Sequence, residues 1–448
     1  MSVDGDGNRH DPTTPRPPVR TDAIIAPVSL WRRRDFLALW AGQTVSELGS
    51  QVSLIALPLL AVTVLGAGAF QTGLLATLQF LPFLLLGLPA GVWVDRLARR
   101  PVLIATDAGR ALAMGSVPVA WALHRLHLPQ LYVVGFVVGV LTVFFDVAYQ
   151  SYLPVLVDRD RLVEGNSRLA LTQSSAEVAG PGLGGLLVST VTAPYAVAAD
   201  AASYVVSVAS LLLIRTPEPR RAAGPARSLR AELAEGLGYV LRHRVLRAIA
   251  ACTGLHNLFG NAATAVIFVF AVRELGLGAG TIGLWLSLGS LGGPVGALIA
   301  SRLSRRLGTG PTITVTAWMG GPAWLLVALA PRGHALPFLI ASGVLGSLAG
   351  VAYNITQVSL RQAITPQRLQ GRMNATMRFL VWGTIPIGAF AGGVIATLAG
   401  LRATLWVATA GTLLAALPVT LSGVRRLRSV EDAMPPEPRE LEIVGRAV

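Results

Sequence analysis

Glu47 lies inside a long apolar run, with Gln43 and Gln51 four residues to either side. The i, i+4, i+8 spacing puts all three on one face of a helix. Glu177 and Asp200 lie in two further apolar runs. An ionisable group in such a run is costly against lipid and is expected to face a polar interior. A carboxylate drawn out of water holds a proton more readily, so the chemistry suggested is reversible proton binding. Glu47, Glu177 and Asp200 are the proton-coupling candidates, with pairing to a neighbouring helix as the alternative for each. His256, Asn257 and Asn261 form a second polar group; with Gln43, Gln51 and Trp382 they are the candidate lining of a substrate cavity. Interhelical hydrogen bonding is the competing role for the second group. His124 and His127 have a metal-like spacing but no further ligand nearby, so neither a metal nor a cofactor is expected. Cys252 is the only cysteine, which excludes an internal disulfide and a cysteine zinc cluster.

About twelve apolar stretches of about 20 residues carry these groups. Helices are expected over 36–64, 71–94, 102–123, 131–153, 169–192 and 195–214, then 245–271, 281–301, 311–330, 336–358, 374–398 and 401–422. A lipid core leaves the backbone no partner but its own helix, so the fold class is an all-α polytopic membrane protein. Composition agrees. The 448 residues are 53% hydrophobic with mean hydropathy +0.60, and 13% are charged, about half the share of a globular domain.

Arginine clusters such as Arg32–Arg34, Arg99–Arg100, Arg220–Arg221, Arg305–Arg306 and Arg425–Arg426 fall in alternate gaps, while the other gaps hold isolated cases such as Arg125 and Arg273. The rich side is expected to be cytoplasmic, with both termini there and an even number of spans. A net charge of +14 spread in this way does not form the basic groove of a nucleic-acid binder. All basic residues are arginine, so a lysine phosphate loop and a lysine Schiff base are excluded. Together with the absence of a metal cluster or nucleophile elbow, this argues against an enzyme.

The expected organisation is a disordered cytoplasmic tail over 1–35, a six-helix bundle over 36–214, a cytoplasmic linker over 215–244, a second bundle over 245–422 and a tail over 423–448. In the linker Leu229, Leu233, Leu237 and Val240 share a face, as in a helix resting on a membrane surface. Arg96, Leu97, Arg99 and Arg100 repeat at a constant offset as Arg302, Leu303, Arg305 and Arg306, and Gly87 as Gly293. That repeat supports two parallel halves.

Gly91, Asp95, Arg96, Arg99 and Arg100 resemble the major facilitator signature between the second and third helices. The resemblance implies a conformational latch. Gly91 would allow close helix approach, Asp95 would face a helix N-terminus, and the arginines would pair with surface acids; Asp107 and Arg110 would join them. Gly180, Pro181, Gly184 and Gly185 are similar to the glycine-proline motif of facilitator antiporters, which implies a bend that seals one state. Tyr149, Pro154, Asn166 and the segment from Ser359 to Ala375 resemble the branch of enterobactin exporters and macrolide efflux proteins. From the topology, Arg361 and Arg372 are expected to pair with acids of the other half. The fourth helix departs from the drug-antiporter pattern, because no arginine is embedded in it and Asp146 lies near its end. The resemblance covers roughly residues 30–425. It implies a monomeric exporter of an amphipathic small molecule, coupled to protons and embedded in the lipid bilayer. An importer or uniporter of the same fold is the alternative, and a transport-inactive interaction protein is a third.

Overall fold

A computed structural model describes residues 30–157, 161–218, 229–429 and 432. Most of both expected tails and residues 219–228 of the expected linker lie outside the described residues. The described ends of those tails are built into the fold. Leu30 is fully buried in a short 3-10 turn, and Leu427 and Arg428 accept backbone hydrogen bonds from Gly310 and Thr309.

The first half comprises α1 (Arg34–Leu59), α2 (Ala69–Asp95), α3 (Arg99–Ala122), α4 (Leu128–Leu156), α5 (Leu162–Val191) and α6 (Ala193–Leu213). α7 (Leu229–Arg242) follows in the linker. The second half comprises α8 (Arg244–Thr264) with its short extension α9 (Ile267–Val269), α10 (Ala279–Ser290), α11 (Gly292–Leu307), α12 (Thr309–Trp318), α13 (Gly320–Leu329), α14 (Ala335–Ile364), α15 (Gln367–Trp382), α16 (Thr384–Ala399), α17 (Leu401–Ala415) and α18 (Leu417–Leu421). Single-residue interruptions split four expected helices, at Leu291, Met319, Gly383 and Ala416. Among the described residues, 11 helical segments are long and apolar enough to cross a membrane. The twelfth long helix is α5. Its first two thirds carry Glu164, Asn166, Arg168, Thr172, Gln173 and Glu177, which lower its hydropathy. Leucines such as Leu112, Leu398 and Leu421 are more than three-quarters exposed, as lipid-facing side chains of a membrane protein are.

A second repeat escapes a search for charges. α1 and α9 both end in five-residue π-turns, Leu60–Val64 and Phe270–Glu274. Each is followed by Leu-Gly-x-Gly-Ala, with Gly66 at φ +66° and Gly276 at φ +69°, where an L side chain would be strained.

The linker helix corrects one expectation. α7 packs against α15, so the face expected to rest on a membrane surface has a protein partner. Gly236 has no side chain and faces the Arg372 carbonyl and Thr376, and the Tyr239 hydroxyl donates to the Ile364 carbonyl at 3.3 Å. Arg372 pairs with Glu235 of this helix rather than with an acid of the other half. Val240 is buried and Leu237 is exposed; the side chains of Leu229 and Leu233 lie outside the described set.

The apolar cores reveal the shape. At the arginine-poor end, Ile55 and Leu59 of α1 belong to one cluster with Phe270, Ile282 and Leu405 of the second half. At the arginine-rich end the halves have separate cores, one around Phe36, Leu103 and Tyr152, the other around Leu246, Ile313 and Met373. The halves therefore merge at one end and part at the other.

Candidate functional site

A cavity of about 670 Å³ lies where the halves part. α1 contributes Gln43 and Glu47, α4 contributes Asp146 and Tyr149, and α15 reaches across from the second half with Arg378 and Trp382. The Arg378 guanidinium stacks on the Trp382 ring at 4.8 Å, and that ring meets Phe83 of α2 at 5.5 Å. A smaller cavity of about 210 Å³ adjoins it at Arg378 and Trp382. Asp146 lies within electrostatic range of Arg378 and of Arg110. Acids of one half thus face a cation of the other across open space, between aromatic walls.

Of the proton-coupling candidates, only Glu47 borders this cavity. Gln51 donates to Glu47 Oε1 at 3.4 Å but does not line the cavity, because its stem packs beneath Gly180. Glu177 accepts from Gln173 at 3.2 Å on the exposed face of α5, within electrostatic range of Glu47. Asp200 is fully buried in the seam between α1 and α6, where Gly49 lets the helices approach and Ser203 donates to the carboxylate at 3.2 Å. Asp146 and Arg378 were not among the candidates. Both are charged residues within or beside apolar runs, and that signal was available.

The latch candidates do not form one cluster. Gly91 has no neighbour near the position of a Cβ, so it does not mediate close approach here. The Asp95 side chain lies outside the described set, and Arg96 is exposed. Arg99 and Arg100 are bound by the end of α6 and the start of the linker, not by the second half. Glu218 accepts from the Arg99 guanidinium at 2.8 Å and from the backbone N–H groups of both arginines, which caps α3 with a negative charge. Arg100 donates to the Leu211 and Leu212 carbonyls, tying α3 to the end of α6.

Asp107 and Arg110 do not join this surface cluster. Asp107 lies about 12 Å along α3 from Arg99 at 1.5 Å per residue. Both side chains are buried, paired with each other, and Ser207 donates to Asp107 Oδ2 at 2.6 Å. The Arg110 guanidinium lies over the rings of Phe145 and Tyr204, at 4.1 and 4.6 Å. The arginine absent from α4 is thus matched by a buried one that α3 presents to α4.

The glycine-proline motif works at the merged end. Gly180 and Gly184 face α1 of their own half, whereas Gly185 faces α10 of the other. A Cβ on Gly185 would stand 2.6 Å from the Gly283 Cα. Pro181 sits inside a helix that continues to Val191, and the next N–H, from Gly182, donates across the halves to Ser287 Oγ at 2.7 Å. A matching contact joins α2 to α16, where a Cβ on Gly73 would meet the Gly393 Cα at 2.7 Å. Arg273 completes the closure by donating to the Gly66 and Ala67 carbonyls, both at 2.8 Å.

His256 and Asn257 line neither cavity described so far. They border a separate hollow inside the second half, and Asn261 donates back to the Asn257 carbonyl at 2.8 Å. The break at Met319 explains the position of His256, because it places Gly320 against the imidazole.

Two six-helix halves that meet at one end, part at the other and share a polar cavity between them define a transporter fold. Residues 39–314 and 250–443 match the model of the Major Facilitator Superfamily, and the chain belongs to that family of multi-pass membrane transporters. It is 29% identical to the multidrug efflux pump Tap of Mycolicibacterium fortuitum over 426 residues, covering 90% of this chain and 97% of that protein. It is 24% identical to macrolide efflux protein A of Streptococcus pyogenes, covering 90% and 98%. In fold it resembles a bacterial homologue of the iron transporter ferroportin in the inward-facing state, with TM-score 0.72 at 16% identity over 87% of this chain and 98% of that one.

Proposed function

We propose that this chain is a monomeric exporter of amphipathic small molecules that works by proton antiport across the cytoplasmic membrane. The arginine-rich end and both termini face the cytoplasm in this reading, and residues 36–214 and 245–422 rock about the cavity. The observation that carries it is the cavity at the parted end, where Glu47 and Asp146 face Arg378 across the halves. Two efflux proteins similar over nearly the whole chain support export. The positive-inside bias supports the orientation.

The lining favours a substrate with an apolar body and a positive charge. Aromatic rings such as Trp40 and Tyr149 accept the body, and Glu47 and Asp146 accept the charge. Proton and substrate then compete for the same carboxylates. Protonation from outside displaces the cation, and loss of the proton inside restores its site. Asp146 adds a second coupling, because its attraction to Arg378 across the cavity depends on its own charge. A ligand shifts the equilibrium between states only through such differential contacts.

The test is flux of ethidium in proteoliposomes under an imposed pH gradient. Wild-type protein is expected to drive ethidium against its gradient, and Glu47→Gln to lose pH-driven flux and to bind the ethidium cation more weakly, because one of the two carboxylates that accept its charge is gone. Downhill movement alone, indifferent to the pH gradient, would establish a uniporter instead. Full pH-driven flux in Glu47→Gln would transfer the role to Asp146, Glu177 or Asp200.

A further inference from the structure

The hollow in the second half has a counterpart that is filled. The offset that aligns Arg96, Arg99 and Arg100 with Arg302, Arg305 and Arg306 also aligns Arg110 with Thr316. In the first half, the Arg110 guanidinium occupies the space among α1, α3, α4 and α6, between two aromatic rings and against Asp107. In the second half, α8, α12–α13, α14 and α17 enclose about 320 Å³ of open space at the corresponding place. Thr316 does not reach into it with a free donor, since its hydroxyl donates to the Thr312 carbonyl at 2.7 Å. Gly320, Ala349 and Ala415 continue the wall without filling the volume.

The wall is polar, carries the imidazole of His256 and holds no carboxylate or guanidinium. Asn257, Tyr353, Asn354 and Gln357 face the space beside the Trp324 ring, and none of the lining residues is an aspartate, a glutamate or an arginine. Gln357 is only 5% exposed. Its amide donates to Asn354 Oδ1 at 3.3 Å, while Oε1 has no hydrogen-bond partner among the described residues. An unpaired buried acceptor costs free energy that a donor on a ligand would recover. A charged ligand would find no counter-ion there and would lose its hydration. Gly350 and Asn354 are exposed, and the hollow is reached past them.

We infer that this hollow binds a small, uncharged, hydrogen-bonding molecule with an aromatic or apolar portion, at a site separate from the charged cavity between the halves. Its volume is at the lower end of the range for small-molecule pockets. The inference does not rest on proton antiport or on the direction of transport.

Equilibrium dialysis of the full-length protein against radiolabelled chloramphenicol tests it. This probe is an uncharged amide with two hydroxyls and an aromatic ring. Wild type is expected to bind it saturably, and Gln357→Leu to bind about tenfold more weakly, as loss of one buried hydrogen bond implies. Gly350→Leu is expected to block entry. A Cβ there meets no atom within 4 Å, so the leucine enters open space without disturbing the helix. Glu47→Gln is expected to bind as wild type does. Thermal unfolding of each variant checks that the fold is intact. The inference is overturned by absence of saturable binding to wild type, or by undiminished binding in both pocket variants. It is equally overturned if Glu47→Gln loses binding as Gln357→Leu does, because the probe then occupies the charged cavity.

Discussion

Arg110 shows how one side chain organises a half of this molecule. It pairs with Asp107 from within α3, stacks on Phe145 of α4 and Tyr204 of α6, and lies within electrostatic range of Asp146 at the cavity. Removing one member of a buried pair leaves the other uncompensated, which costs about 3–5 kcal/mol, whereas replacing both with apolar residues of similar volume is close to neutral. Arg110→Leu alone is therefore expected to lower the unfolding midpoint strongly. The double variant Asp107→Leu, Arg110→Met should recover most of the loss, read as thermal unfolding of detergent-purified protein. If the single and double variants unfold alike, the pair contributes nothing as a pair. What the sequence reveals of this residue is limited by depth. An arginine 11 positions after a surface cluster reads as part of that cluster when the start of α3 is placed at 102; the helix begins at Arg99 and carries Arg110 into the bundle. Glu47 was easier to read, because its stripe of amides marks a polar face directly. Even so, Gln51 of the same stripe turns to pack under Gly180 instead of lining the cavity.

At the scale of elements, the closure at the arginine-poor end depends on backbone meeting backbone. Gly283 tolerates no side chain, since a Cβ would lie 2.7 Å from the Gly185 Cα and the Pro181 carbonyl oxygen. Gly283→Val is expected to hold α5 and α10 apart, so that this end cannot close. Transport should fall at least about tenfold, and spin labels at Ser189 and Gly280 should report a longer distance than in the parent. An unchanged distance with normal flux would show that the closure accommodates a side chain. The motif that marks α5 was legible, but its partners were not, because residues about 100 positions away in the chain supply them. The linker helix offers a pH-dependent counterpart. His243 stands half-buried between α7 and α8, and its Nδ1 has no hydrogen-bond partner among the described residues. Burial pushes its pKa below the usual value of 6.5. A depressed histidine pKa means that the docked state binds the proton less well than the undocked state. The contribution of neutral His243 to docking is therefore fully present above pH 6.5 and is lost as pH falls through the folded value. Labels at Gly238 and Gly371, positions where a Cβ meets no atom within 4 Å, should separate on acidification. His243→Phe should abolish that response.

For the whole molecule, the alternation of arginine-rich and arginine-poor gaps and the repeat of arginines reveal the span number and the two halves, because both are written along the chain. The cavities are not, since a cavity is volume that side chains from several helices fail to fill; the small residues Gly320, Ala349 and Ala415 that leave the hollow beside Thr316 open come from three different helices. The same chain-level pattern makes a joint prediction about sidedness and access. In a Cys252→Ala background, Gly371→Cys at the arginine-rich end and Gly278→Cys at the arginine-poor end should be labelled by a membrane-impermeant thiol reagent from opposite sides, the first from the cytoplasm. Gln150→Cys, on the cavity wall and exposed toward the parted end, should share the side of Gly371→Cys in the conformation described here. Adding Gly283→Val, which keeps the arginine-poor end from closing, should shift Gln150→Cys to labelling from the other side while leaving Gly371→Cys and Gly278→Cys unchanged. Fixed ends with a switchable middle are what two rigid halves rocking about one cavity require. If Gln150→Cys keeps its side when the glycine contact is blocked, the cavity does not alternate, and rocking about the α5–α10 and α2–α16 contacts is excluded.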